Sequence, residues 1–239
     1  MLMFFSFALY HCEYGENCRA PNKRCVHISY LDSVHFMKPQ RLQTFVYHEI
    51  LISYLDYARQ RGFATARIWS CPALEGDDYI LYAKPDDQKT RRDSRLQQWF
   101  SDMLVEGQRR NVVGKVTNVY DLYFAKESLD ATAVPYLEGD YFPGEAERII
   151  KGELENGVKT TGNEVAGSVK KLKNDMETQG DRVMVKLGEM IKPIKENCFV
   201  AFLNLAEAAK KKQGSTRRCH EVSVRASRGH DTSGRWKKA

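Results

Sequence analysis

The chain has 239 residues, which is enough for one medium-sized domain with its own buried core. Residues 210–239 hold ten Lys or Arg against Glu221 and Asp231, so this tail has a charge of +8. Because the net charge of the chain is +6, the rest of the chain has a charge of −2. The composition predicts a faintly acidic folded part that suits a cationic substrate. The basic tail is predicted to be disordered, with nonspecific nucleic-acid contact as the alternative.

The first segment, residues 1–10, is apolar but lacks the basic flank and cleavage site of a signal peptide, and it is too short to span a bilayer. It predicts a buried strand. The six cysteines form no Cys-x-x-Cys pair, which argues against a disulfide scaffold and favours a reducing, intracellular location. Irregular gaps argue against a zinc site formed by Cys12, Cys18, Cys25 and His27.

The next strand is predicted over residues 26–30, where apolar and polar residues alternate. A period of two places Asp32 in the row of Val26 and Ile28, so a carboxylate arrives where burial is expected, and this favours a functional site. A helix follows over residues 44–60 and ends at Gly62. Its predicted polar stripe consists of His48, Glu49, Ser53, Asp56, Arg59 and Gln60.

Residues 64–71 predict a second strand, joined to the first by a parallel crossover. A further strand is predicted over 79–83, and a helix from Ser94 places Trp99 and Phe100 in an apolar row typical of a core. Ligands of open α/β sheets bind beyond the carboxyl ends of the strands, near helix N-termini. Asp32, Ser33 and Thr44 are expected there.

The remaining segments divide the chain into four predicted parts. Residues 135–144 form an aromatic and acidic loop suited to a cationic side chain, and 198–205 form an apolar strand that completes the sheet. The predicted division is a core over 1–150, a mobile insertion over 151–181, a returning helix and strand over 182–205, and a basic disordered tail over 206–239.

Several separate runs stand in an order and at spacings that match a known family. They are Tyr30-Leu31-Asp32-Ser33-Val34, Tyr47-His48-Glu49-Ile50-Leu51, Ile68-Trp69, Glu75-Gly76-Asp77-Asp78-Tyr79-Ile80, Arg95-Leu96-Gln97, Trp99 and Glu138-Gly139-Asp140. The chain resembles the CREB-binding-protein type of histone acetyltransferase domain, especially its plant relatives. The resemblance implies an α/β fold with a mixed central β-sheet flanked by helices, similar to other acetyl-CoA-dependent acetyltransferases, and a domain that is incomplete at both ends.

The function that the resemblance implies is transfer of an acetyl group from acetyl-CoA, as co-substrate, to lysine side chains of histone tails in the nucleus, in transcription regulation. Transcription factors are further implied partners, and a membrane is not. The cofactor-lining positions are Leu31, Asp32, Ser33, Gln43, Thr44, Thr90, Arg95 and Trp99. The substrate-side positions are Tyr30, Ala66, Arg67, Ile68, the tunnel wall Trp69, and the acidic contact Glu138. Asp32 and Ser33 are expected to face Trp69 and Trp99 in one pocket.

Two departures from the family pattern predict weakened catalysis. Gln43 stands where the family usually has an Arg that grips phosphate, and an amide gives up the charge-assisted, bidentate contact. Phe100 stands where the family has the Tyr thought to protonate the departing thiolate, and losing a general acid typically slows a reaction by about 10² to 10⁴. The alternative is a catalytically dead module that binds acetyl-CoA or histone, or that dimerises.

Overall fold

The computed structural model describes residues 5–35, 40–71, 80–81, 84–85, 88, 95–125, 131–160 and 182–206. The strands of this part of the chain are β1 (Phe5–Tyr14), β2 (Cys25–His35), β3 (Thr65–Trp69), β4 (Val113–Asn118) and β5 (Cys198–Leu203). The α-helices are α1 (Gln43–Gln60), α2 (Arg95–Arg109), α3 (Val119–Tyr123), α4 (Tyr141–Thr160) and α5 (182–191).

The strands form one mixed sheet in the order β1-β2-β3-β5-β4. β2 and β3 pair in parallel and are joined through α1, as the crossover prediction requires. The other pairs are antiparallel. The predicted α/β class is therefore confirmed, although β5 lies between β3 and β4 in the sheet.

Each face of the sheet carries its own hydrophobic core. On the first, called here the helix face, α1 and α2 pack against Val26, Ile28, Ala66 and Ile68. Apolar residues on one side of α1 drive this contact, and Leu51 is fully buried there. The opposite face, called here the far face, packs Cys198 and Val200 of β5 against α3, α4 and α5.

Strand β1 lies at one edge of the sheet and is not the buried strand that its apolar sequence predicts. Phe5 and Tyr10 are 44% and 46% exposed, and among the described residues β1 has a strand partner on one side alone. Its apolar character reflects packing of one row alone, in which Phe7 and Leu9 contact the helix-face core.

A bulge in β2 changes the row to which Asp32 belongs. Tyr10 pairs with Tyr30 and His11 pairs with Ile28, so Ser29 is the extra residue. Since side chains alternate along a strand, one extra residue exchanges the two faces. Asp32 therefore does not share the row of Ile28, contrary to the prediction.

The long helix α1 also corrects the predicted polar stripe. Arg59 is 2% exposed, and its guanidinium donates to Asp56 and to the carbonyl oxygens of Asn111 and Asn204. A buried arginine is tolerated here because its donors meet oxygens from three parts of the chain. A polar residue in a helical pattern need not face water.

The predicted part boundary at residue 150 falls inside α4, which continues to residue 160. Residues 161–181 and 207–239 lie outside the described residues, and they make up most of the predicted insertion and almost the whole predicted tail. Most of the predicted strand over 79–83 also lies outside the described residues. Among the helices that the structure describes, none combines the length and hydrophobicity needed to cross a membrane.

Candidate functional site

The ends of several elements meet at the edge of the sheet that is formed by the carboxyl ends of β2 and β3. α1 returns from β2 to the parallel strand β3, so α1 begins at the edge where both strands end. α2 leads into β4, which runs parallel to β3 because both pair antiparallel with β5. α2 therefore also begins at this edge. The topology brings most of the sequence-predicted site residues to the position where α/β sheets bind ligands.

The N-terminus of α1 has the electrostatic character of an anion site. Leu42 at the N-cap makes no side-chain capping bond, and the first turn holds no acidic residue. Thr44 is exposed and Gln43 is half-buried in this turn. A 3-10 helix, Gln40–Leu42, leads directly into α1, and the positive end of the helix dipole favours a phosphate here. Arg41, exposed just before the helix, adds a positive charge.

Leu31 and Trp99 pack against the same core on the helix face. The indole of Trp99 meets His48 of α1 edge-on, with ring centroids 4.6 Å apart, and meets Phe100 at 5.0 Å. Burial lowers the pKa of His48, which favours a neutral imidazole. Phe100 is 3% exposed, so its ring lies in the core that supports Trp99.

Asp32 anchors the chain that follows β3. One carboxylate oxygen accepts the N–H groups of Ile80 and Leu81 at 3.2 and 2.9 Å, and the other pairs with the ammonium of Lys84. Burial raises the pKa of Asp32, but Lys84 and the two N–H groups outweigh that effect and leave the pKa below its ordinary value. The carboxylate is therefore charged and already engaged.

The predicted single pocket is divided between the two faces. Leu31 packs on the helix face with Trp99, so its neighbour Asp32 points to the far face. Trp69 also packs on the far face, stacked on Tyr141 with centroids 5.3 Å apart. The two tryptophans thus lie on opposite sides of the sheet edge.

The substrate-side residues differ in their exposure. Tyr30 is 38% exposed, with its ring 5.8 Å from that of Tyr10. Glu138 is exposed, and its backbone N–H donates to the hydroxyl of Tyr14 at 2.5 Å. In contrast, the predicted contacts Ala66, Arg67 and Ile68 are 0%, 3% and 1% exposed. In this arrangement these three have no surface for a peptide.

Of the other predicted cofactor positions, Ser33 lies on the helix-face row and is half-buried, and Arg95 is exposed at the start of α2. Thr90 lies outside the described residues. Sequence reasoning missed the partners Lys84 and Asp140. The only available signal for Lys84 was its place in the motif-rich stretch after β3.

A family model for the histone acetyltransferase domain KAT3 matches residues 2–228. The chain belongs to this family. Probable histone acetyltransferase HAC-like 2 of rice is 40% identical over 222 aligned positions, and the match covers 82% of this chain and 15% of that protein. Histone acetyltransferase HAC12 of Arabidopsis thaliana is 39% identical over 222 aligned positions, and the match covers 82% of this chain and 13% of that protein.

A third relative matches over a shorter stretch and with a higher identity. Protein cbp-1 of Caenorhabditis elegans is 45% identical over 145 residues, which cover 61% of this chain and 7% of that protein. The chain thus spans a small part of the length of these relatives. The KAT3 match confirms the family that the motifs identify.

Proposed function

We propose that this chain is a histone lysine acetyltransferase domain that takes acetyl-CoA as its co-substrate. The match of the KAT3 histone acetyltransferase domain across residues 2–228 carries the proposal. The geometry supports it, since a helix N-terminus without a side-chain cap and a cluster around Trp99 lie at the ligand-binding edge of the sheet.

The division of the site suggests how two substrates meet. Acetyl-CoA would lie on the helix face, with phosphate at Gln43 and Thr44 and the thioester arm along Leu31 and Trp99. The lysine would approach on the far face, past Trp69. The two would meet beyond the ends of β2 and β3. Holding both partners there lowers the barrier, since proximity supplies about 7 to 11 kcal/mol in favourable cases.

In the chemical step the neutral lysine amine attacks the thioester carbonyl carbon. The carbon–sulfur bond breaks, the acetyl group remains on the nitrogen, which loses one proton to solvent, and the departing thiolate receives a proton. Phe100 has no proton to give, so the proton would come from solvent, and Gln43 would bind phosphate without a charge. Both residues predict a slow enzyme.

Calorimetry with acetyl-CoA tests the first requirement. We expect binding, and Thr44→Val should weaken it because the hydroxyl at the α1 N-terminus is lost. Val105→Thr is a control of similar size. Val105 is exposed and lies in the second half of α2, away from the helix N-terminus, so this variant should bind acetyl-CoA like the wild type. No heat of binding from a folded protein contradicts the proposed co-substrate.

Phe100→Tyr tests turnover. Mass spectrometry of a histone H3 or H4 peptide should show at least severalfold more acetylation by Phe100→Tyr than by the wild type, because the hydroxyl restores a general acid next to Trp99. Phe124→Tyr adds the same group in the other core and should give no gain. Acetyl-CoA binding without product from either protein would contradict turnover and support the second function, a binding module.

That second function is favoured by one observation, the buried hydrocarbon ring of Phe100. A binding or dimerising module needs the pocket but no acid.

We further propose a nuclear location, where histone tails lie, and contacts with transcription factors. The basic residues after 210 would add salt-sensitive nucleic-acid contact, which deletion of residues 210–239 should abolish.

A further inference from the structure

We infer that Arg67 and Asp140 form a buried lock that positions Glu138 for a cationic residue next to the target lysine. The inference rests on the proposed function and assigns a positioning role to two residues that contact no peptide themselves. The acidic loop meant here is residues 135–140, which includes Glu138.

The lock joins the centre of the sheet to the end of the acidic loop. Arg67 Nη2 lies 2.6 Å from Asp140 Oδ2, with side chains 4% and 1% exposed. The guanidinium carbon also lies 5.4 Å from the ring centroid of Phe142, at the start of α4. A charge-assisted bond between two buried groups has a narrow range of geometries. It therefore fixes the chain two residues beyond Glu138.

The backbone at Gly139 makes the seating of the loop specific. Gly139 has φ +74°, and a Cβ at this position would lie 2.7 Å from the hydroxyl oxygen of Ser29 and 3.3 Å from its Cβ. Only glycine both adopts this conformation readily and allows such close approach. The loop thus rests directly on the bulge of β2.

The other end of the loop is also held, which leaves Glu138 between two fixed points. Asn22 donates to the carbonyl oxygen of Tyr136 at 2.5 Å and accepts its N–H at 2.9 Å. Leu137 is fully buried. The side chain of Glu138 remains exposed, and its charge reaches Tyr10 strongly enough to help raise the pKa of that phenol, after the larger effect of Cys12.

The surface around Glu138 suits a Lys or Arg side chain, in which a charged group follows an apolar stem. Tyr10, whose phenol senses the Glu138 charge, is 46% exposed, and its ring lies 5.8 Å from that of Tyr30, which is 38% exposed. Aromatic faces beside a carboxylate attract Lys or Arg through both charge and cation–π contact. A small shift of the loop would misplace the carboxylate, so Arg67 and Asp140 should affect discrimination between cationic and neutral peptides.

The test measures binding of two fluorescent lysine peptides to the full chain with acetyl-CoA present. One peptide carries Arg and Lys beside the target lysine, and the other carries Ala at those positions. We expect Asp140→Asn to weaken binding of the cationic peptide by about tenfold and binding of the neutral peptide by less than about twofold. Affinity for acetyl-CoA should not change.

A second variant covers the case in which Asp140→Asn fails to fold. Gly139→Ala should produce the same selective loss, and adding Ser29→Ala should recover part of it by removing the closest contact. Gly144→Ala is the matched control, since a Cβ there meets nothing within 4 Å. Combining Glu138→Gln with Asp140→Asn should cause little further loss, since both act through one carboxylate.

Equal losses for the two peptides, or wild-type affinity in both the Asp140 and the Gly139 variants, would overturn the inference. Hydrogen exchange at the Glu138 amide separates this outcome from failure of the proposed function. If the wild type binds neither peptide, the proposed function fails. The lock fails on its own evidence if that amide exchanges no faster in Asp140→Asn than in the wild type.

Discussion

The two faces of β2 and β3 are built from different chemistry. On the helix face, the paired rows consist of Val26, Ile28, Ala66 and Ile68, all hydrocarbon and nearly free of solvent contact. On the far face, His27 of β2 pairs with Arg67 of β3, and both residues are buried like those of the helix face. A hydrocarbon core is stabilised by buried area, which has no direction, whereas a buried polar group needs a partner at a set distance. The far face is therefore the one that can fix a loop in place.

The largest expected effect is on the far face, from breaking its buried ion pair. Asp140→Ala leaves the Arg67 guanidinium charged and buried, so the free energy of unfolding in urea should fall by about 3–5 kcal/mol. Adding Arg67→Met should recover part of the loss because it removes the unpaired charge. A loss below about 1 kcal/mol would show that the pair is hydrated and that the two faces are less different than proposed.

On the helix face, Leu51→Ala should lower the free energy of unfolding by about 2–5 kcal/mol, because a fully buried side chain leaves a cavity. Phe45→Ala in the same helix is the control. This ring is 59% exposed, so the change should stay within about 0.5 kcal/mol. Similar losses in both variants would contradict the assignment of the buried side of α1.

The smallest effect concerns pH. Burial lowers the pKa of His27 on the far face and of His48 on the helix face below 6.5. Both imidazoles then stay neutral in the folded protein where the unfolded chain would bind protons. Stability should fall as the pH drops below 6.5, by at most about 1.4 kcal/mol per pH unit from His27.

The histidine titrations can be followed separately by nuclear magnetic resonance of the ring protons. We expect both midpoints below 6.5, since burial is the largest cause for each. A midpoint for His27 at or above 6.5 would mean that the nearby Asp140 carboxylate outweighs burial. That outcome would make the far face a site of positive charge and not a neutral contact.

Local sequence patterns predicted the β2-α1-β3 unit because its signals are local. Alternation over residues 26–30, helical periodicity over 44–60 and Gly62 at the end each depend on a few neighbours. Local patterns do not predict β4 and α3, because their sequences are short and weakly patterned. The sequence pattern predicts residues 141–144 as part of a loop, although α4 begins there. Their Pro and Gly lie in the first turn, where helices tolerate them.

The site shows a similar limit. The motifs of the chain identify the family, and the KAT3 match agrees. They also name Trp69, Trp99 and Glu138, but the faces on which these side chains lie depend on the register of the sheet. The partner of Arg67 is 73 residues away along the chain, and no local pattern reports such a pair.

The sequence by itself determined the family, the parallel unit and the residue types available at the site. The tertiary structure decided the role of each residue. One extra residue at Ser29 turns Asp32 to the far face, where it meets Lys84. Folding also buries Arg67, so it acts through Asp140. The reason is physical: strand side chains alternate with a period of two, and a buried charge binds the opposite charge that folding brings to it.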